Sequence, residues 1–240
     1  MTLARRLDYA GLVPAAAKGD LAALRKLTSV AYDEAAQVEG AHDLEALTAA
    51  EVWGRFAGAL GDADDARRLS AILAHRAASD TAIGRDRRAA IYEADVLALA
   101  DGGSAPQHAD FDRLVAAALS GDADAHEALF EHLVGAIDAA DCDYGEGLVG
   151  LEIVARVAEA WGSARFRSVL AGVLCWQIEF DLSAGRWADA SERGAELADR
   201  LAAMAASDDP ELVAISRAAL PLLPESLSAT MKAAALRNPA

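Results

Sequence analysis

The 240-residue sequence has little proline, few aromatic residues and almost no cysteine. Its six prolines leave long stretches free to form helices, because proline removes a backbone donor and breaks a helix interior. Aromatic residues make up only 5% of the chain, so a buried core must be built mainly from Ala, Leu, Val and Ile. Alanine and leucine are among the best helix formers. The composition therefore predicts an all-α protein.

The scarcity of cysteine and of long apolar runs bears on the compartment. Cys142 and Cys175 are too few for a disulfide framework. No apolar run approaches the roughly 20 residues that a membrane span needs. The basic pair Arg5 and Arg6 is followed by Asp8 rather than by the apolar segment of a secretory signal. We therefore expect a soluble, cytoplasmic protein with reduced thiols and no cofactor.

Positive charge is also scarce, since 22 Lys and Arg face 38 Asp and Glu for a formal net charge of −16. Residues 1–111 hold 12 basic against 17 acidic residues, whereas residues 112–240 hold 10 against 21. Binding of free nucleic acid needs a basic footprint, so we do not expect it. We expect a protein or peptide partner with a basic surface. The alternative is that the charge serves solubility alone.

The sequence contains an internal duplication. A shift of 101 residues places Ala57–Ala94 on Ala158–Ala195 with eleven identities in 38 positions, six of them not alanine. Further upstream, eight residues between Leu12 and Leu27 recur at an offset of 102. A fixed period of this kind is typical of stacked helical repeats. We therefore predict a right-handed helical-repeat stack built from two tandem homologous halves.

The halves are assigned to residues 1–101 and 111–206, with about five helices each. A linker rich in glycine joins them at residues 102–110. Two short helices within residues 207–240 are expected to cap the end of the stack. A glycine–aspartate pair marks a helix boundary in each half, Gly19-Asp20 in the first and Gly121-Asp122 in the second. Glycine there ends one helix in the left-handed conformation, and aspartate caps the next.

Several helix pairs resemble tetratricopeptide repeats. That family has a turn glycine followed five residues later by a small residue, as at Gly61-to-Ala66, Gly84-to-Ala89 and Gly185-to-Ala190. Trp53-Gly54 matches the apolar and small pair of the first helix. Arg167 departs from the pattern after Gly162, and the 23 residues from Gly61 to Gly84 are fewer than the usual period of about 34. The resemblance implies a concave groove that holds a peptide or a partner helix.

Residues on the first helix of each pair would line that groove. Together with a basic cluster and an exposed aromatic, they give a candidate partner-binding set: Trp53, Arg76, Arg85, Arg156, Gln177 and Trp187. Tryptophans are the largest anchors of this aromatic-poor chain. We expect Trp53 and Trp176 to be mainly buried, because apolar residues flank them at helical spacing, and Trp187 to be partly exposed.

Metal-site patterns are weak. His126 and His132 lie six residues apart, which places them on different helix faces and rules out a shared metal on one helix. Asp141, Asp143 and Glu152 match positions one, three and twelve of a calcium loop. The turn glycine of that loop is one residue late, because Glu146 occupies its position. We therefore interpret Asp141–Gly147 as an acidic interhelical loop before a helix at Leu148–Trp161, and expect no metal.

No catalytic triad, phosphate loop or convergent acid–base set can be recognised, so we expect a protein that is not an enzyme. The favoured function is a non-catalytic scaffold or adaptor that binds a protein or peptide in its groove. One alternative is an acidic inhibitor or antidote that masks a cationic protein. A second alternative is an α-helical enzyme whose site is assembled from distant helices.

Overall fold

A computed structural model of the protein describes residues 2–36, 44–60, 63–82, 109–138 and 144–219. These residues form eleven α-helices and no strand, so the all-α prediction is confirmed for them. The helices are α1 (Leu3–Arg6), α2 (Tyr9–Ala16), α3 (Leu21–Ala36), α4 (Leu44–Leu60), α5 (Ala63–Ala82), α6 (Ala109–Leu119), α7 (Ala123–Asp138), α8 (Tyr144–Ala160), α9 (Ala164–Ser183), α10 (Trp187–Ala205) and α11 (Pro210–Ala219). None of these described helices is long and apolar enough to cross a bilayer.

The predicted glycine–aspartate boundaries are confirmed. Gly19 and Gly121 have φ values of 79° and 86°, a left-handed conformation that costs glycine little. The Oδ1 atom of Asp20 accepts hydrogen bonds from the second and third backbone amides that follow it, at 2.9 and 3.1 Å. Asp122 does the same at 2.9 and 3.2 Å. The same local chemistry therefore starts both α3 and α7.

The chain divides into two compact units. The first unit is residues 3–161 and contains α1–α8. The second unit is residues 162–240, of which 162–219 are described, together with residues 1–2. Most of the predicted linker at residues 102–110 lies outside the described residues, as does the part of the predicted cap after residue 219.

Helices α4 and α8 lie at the centre of the first unit. α4 packs against α3, α5, α6 and α8, while α8 packs against α7, α2, α6 and α4. Trp53 and Phe56 on α4 are completely buried, and Trp53 donates from Nε1 to the Tyr9 hydroxyl of α2 at 3.3 Å. Gly54 lets α5 approach closely, because a Cβ there would lie 3.4 Å from the side chains of Leu69 and Ile72. These large and small residues fix the spacing of the central helices.

In the second unit, α10 packs against α9 and α11. The Ser163 hydroxyl caps α9 by accepting from the Phe166 backbone amide at 3.3 Å. Gly185, at φ 74°, ends α9 and allows a short turn into α10. Buried leucines of both helices supply the apolar core of this unit.

Candidate functional site

The candidate partner-binding residues are mostly buried. Trp53, Arg76 and Arg156 lie inside the first unit, and Gln177 is buried in the second. Trp187 is the accessible member of the described part of the set, with 68% of its surface exposed. The sixth residue, Arg85, lies outside the described residues.

A chain of ion pairs runs through four helices of the first unit. Asp112 of α6 accepts from Arg55 of α4 at 3.1 Å, and Arg55 also contacts Glu51 at 3.2 Å. The second oxygen of Glu51 lies 3.2 Å from Nε of Arg76 on α5. Arg76 then donates to Glu146 of α8 at 2.7 Å. Positive and negative charges alternate along this chain, so each guanidinium is held between two carboxylates.

Burial and pairing perturb the acid–base chemistry of this chain. Burial alone would lower the pKa of Arg55, but Glu51 and Asp112 raise it above its ordinary value. Burial raises the pKa of Asp112, and the Arg55 charge opposes that shift. Arg55 therefore stays charged, while Asp112 is a weaker acid than an exposed aspartate because it is partly buried. The charged Arg55 side chain links α4 to α6 through Asp112, so it helps to position these two helices.

A second carboxylate–arginine pair lies on α8. Arg156 donates from Nε to Glu152 at 2.8 Å, and its guanidinium stacks over the Tyr9 ring at 5.4 Å. The offset of 101 residues relates this pair to Glu51 and Arg55. This correspondence was not among the predictions from the sequence. Extending the alignment upstream of Ala57 would have found it.

The described residues of the calcium pattern are helical and do not form a loop. Asp141 and Asp143 lie outside the described residues, but α8 begins at Tyr144, earlier than the predicted Leu148. The remaining template positions are therefore helical, whereas a calcium loop wraps its ligands around the ion. The carboxylate of Glu152 is bound by Arg156. Within the described residues, no group of three His, Cys, Asp or Glu side chains is placed to hold a metal.

The two histidines of α7 take separate structural roles. His126 is buried, with Nε2 3.1 Å from the Ala118 carbonyl oxygen, which it can approach as a donor. The ring of His132 packs against Phe111 with centroids 5.5 Å apart. Burial lowers the pKa of His126, although the Ala118 carbonyl and the Asp122 charge oppose the shift. The folded protein therefore favours the neutral imidazole.

This shift predicts a pH dependence of stability. The unfolded chain protonates His126 below about pH 6.5, before the folded protein does, so this contribution to stability is complete above that pH. It is lost as the pH falls towards the lowered folded pKa. Urea unfolding at pH 7.5 and 5.5 should show a smaller acid-induced loss for His126→Gln, whose amide can still donate to Ala118. Equal losses in both proteins would contradict the assignment.

The second unit has its own buried ionic cluster. Asp181 is completely buried and forms ion pairs with Arg193 and, at 2.7 Å, with Arg186. The Arg186 guanidinium also stacks over the Phe180 ring at 4.8 Å. These contacts fix the turn between α9 and α10. Burial raises the pKa of the nearby Cys175 thiol on α9, which keeps it in the less reactive protonated form.

The prediction that Trp176 is buried is wrong, because 44% of its surface is exposed. Apolar neighbours at helical spacing do not decide burial here, since α9 presents its core face through the adjacent Gln177 and Ile178 instead. The prediction for Trp187 is confirmed. Two large aromatic side chains therefore lie on the surface of the second unit.

The described residues form helices with charged groups paired inside, and aromatic groups are exposed on both units, among them Tyr144 and Trp161 of the first. No protein-family model, curated protein or solved structure matches the chain.

Proposed function

We propose that the protein is a non-catalytic protein- or peptide-binding module, acting as a scaffold or adaptor in a cytoplasmic assembly. The observation that carries this proposal is the 68% exposure of Trp187, in a chain with only four tryptophans. Replacing a tryptophan by alanine is among the substitutions that reduce the binding free energy of protein interfaces most. The buried ion pairs of the first unit hold its helices together, and a binding scaffold requires such fixed helix packing.

The proposed partner presents a basic surface. The net charge of −16 attracts positively charged proteins and raises their association rate, while salt weakens this attraction. Trp187 would contact the partner directly. Gln177 is buried on α9 and would help to hold the helices that carry this surface, whereas Trp53, Arg76 and Arg156 are buried in the first unit and would stabilise that unit.

We also propose that the two halves arose by duplication and contact each other reciprocally. Arg55 of the first half stacks 6.0 Å over Phe111 of the second. Arg156 of the second half stacks over Tyr9 of the first. Tyr9 and Phe111 are 102 residues apart, which is the duplication offset. In a tetratricopeptide-like superhelix each helix pair would contact only the next pair along the chain. The contact between α2 of the first half and α8 of the second favours reciprocal packing of the two halves instead.

Affinity capture with the full chain tests the function. Bait beads are incubated with lysate of the source cell at about 0.05 M salt and then washed at about 0.5 M, which shortens the Debye length from roughly 14 to roughly 4 Å. We expect a stoichiometric basic protein that is released at high salt. A cationic toxin or nucleic-acid-binding protein would favour the antidote function. Retention of no protein, or of an acidic one indifferent to salt, would contradict the proposal.

A further inference from the structure

Four residues of the α9–α10 hairpin are here called the aromatic edge: Trp176, Phe180, Arg186 and Trp187. Trp176 and Phe180 are four residues apart on α9, so they lie on the same helix face. The Arg186 guanidinium stacks over Phe180, and Trp187 follows Arg186 at the start of α10. Helix spacing and stacking thus relate Trp176, Phe180 and Arg186, and Trp187 is the next residue of the chain.

The edge is held in place from beneath. Asp181 lies in the interior next to Phe180 in sequence, and its Oδ1 atom is 2.7 Å from Nη2 of Arg186. This ion pair and the stacking on Phe180 restrain the guanidinium. Trp176 and Trp187 lie on helices, so the edge presents them without first having to order a loop, which lowers the entropic cost of binding.

One exposed carboxylate lies next to the edge. Glu179 is three residues after Trp176 and therefore on the same face of α9. The exposed arginines of α9, Arg165 and Arg167, belong to its opposite end, roughly 14 to 17 Å from Trp176 along the helix axis. An exposed carboxylate thus lies beside Trp176, and Arg186 of the edge is paired with Asp181.

We propose that the aromatic edge binds a basic amphipathic segment of another protein. Apolar side chains of that segment pack on Trp176 and Trp187, and its lysines or arginines meet Glu179. A second copy of this chain or an anionic lipid surface fits poorly, because each would bring negative charge to a protein of net charge −16. This inference rests on the proposed protein-binding function and adds its location and the chemistry of its ligand.

The test uses two labelled synthetic peptides of about 15 residues, with leucines at positions i, i+3, i+4 and i+7. One peptide carries lysine at the other positions and the second carries glutamate. Fluorescence anisotropy with the full chain should show binding of the lysine peptide only. Trp187→Ala and Glu179→Lys should each weaken it, Trp187→Ala by at least about tenfold.

Leu60→Ala is the matched control, since Leu60 is an exposed apolar residue of the first unit. It should leave the affinity unchanged, and circular dichroism should show that all three variants keep their helicity. Equal binding of both peptides would overturn the charge requirement. Equal loss in Leu60→Ala and Trp187→Ala would overturn the location. If the wild-type protein dimerises and Trp187→Ala abolishes the dimer, the occupant is a second copy of the chain and not a basic segment. If the wild-type protein sediments with anionic vesicles and Trp187→Ala abolishes this, the occupant is a lipid surface.

The two proposals fail in different ways. If affinity capture retains a basic protein equally well with Trp187→Ala, the protein-binding function stands and the aromatic edge is the wrong surface. If wild-type capture retains no protein, the function itself fails.

Discussion

Arg76→Ala should lower the free energy of unfolding by about 3–5 kcal/mol, the usual cost of breaking a buried ion pair from one side. The side chains of Arg76 and Glu146 are only 3% and 2% exposed. Without the guanidinium, the carboxylate of Glu146 loses a donor at 2.7 Å, and Glu51 loses a cation at 3.2 Å. The Thr48 hydroxyl loses a partner as well. Urea denaturation followed by circular dichroism measures the effect.

Arg67→Ala provides a control on the same helix. Arg67 pairs with Asp64, but the two side chains are 76% and 65% exposed, so their pairing should contribute less than about 1 kcal/mol. A second variant, Arg76→Met with Glu146→Leu, removes both charges and should recover part of the lost stability. If Arg76→Ala and Arg67→Ala destabilise the protein equally, the buried ion chain is not a stabilising element.

The helices themselves could be predicted closely from the sequence. The boundaries before α3 and α7 fall at the predicted pairs Gly19-Asp20 and Gly121-Asp122, because turn glycines and aspartate caps act locally. The start of α8 was missed. Gly145 and Gly147 weaken helix formation near Tyr144, but the helix begins there and carries Glu146 to Arg76. A tertiary ion pair accompanies this departure from local propensity, and it cannot be read from a local pattern.

The larger difference between prediction and structure concerns the burial of charged side chains. Arg76 and Arg156 were expected to line a surface, since arginine is seldom buried without a partner. Their partners come from other helices or from the preceding turn, at distances that only the folded chain reveals. Period and composition indicate which face of a helix is apolar. They do not indicate which carboxylate a guanidinium meets 70 residues away, as for Arg76 and Glu146.

Gly121→Ala should destabilise the first unit more than its backbone conformation alone explains. Gly121 has φ 86°, and a Cβ there would lie 2.8 Å from two ring carbons of Trp161. That ring cannot move freely, because its Nε1 donates to the Ala17 carbonyl oxygen at 2.8 Å. The left-handed conformation should cost alanine about 1–2 kcal/mol, and the clash about 1–3 kcal/mol more.

Gly162→Ala separates the two costs, because Gly162 has φ 88° and no atom within 4 Å of an added Cβ. It should show the conformational cost alone in urea unfolding. Trp161→Leu removes the clashing ring, so in that background Gly121→Ala should cost no more than Gly162→Ala does in the wild type. If Gly121→Ala and Gly162→Ala are equally destabilising without that substitution, Trp161 yields to the new methyl group. The indole would then not be a rigid link between the turns at Ala17 and Gly121.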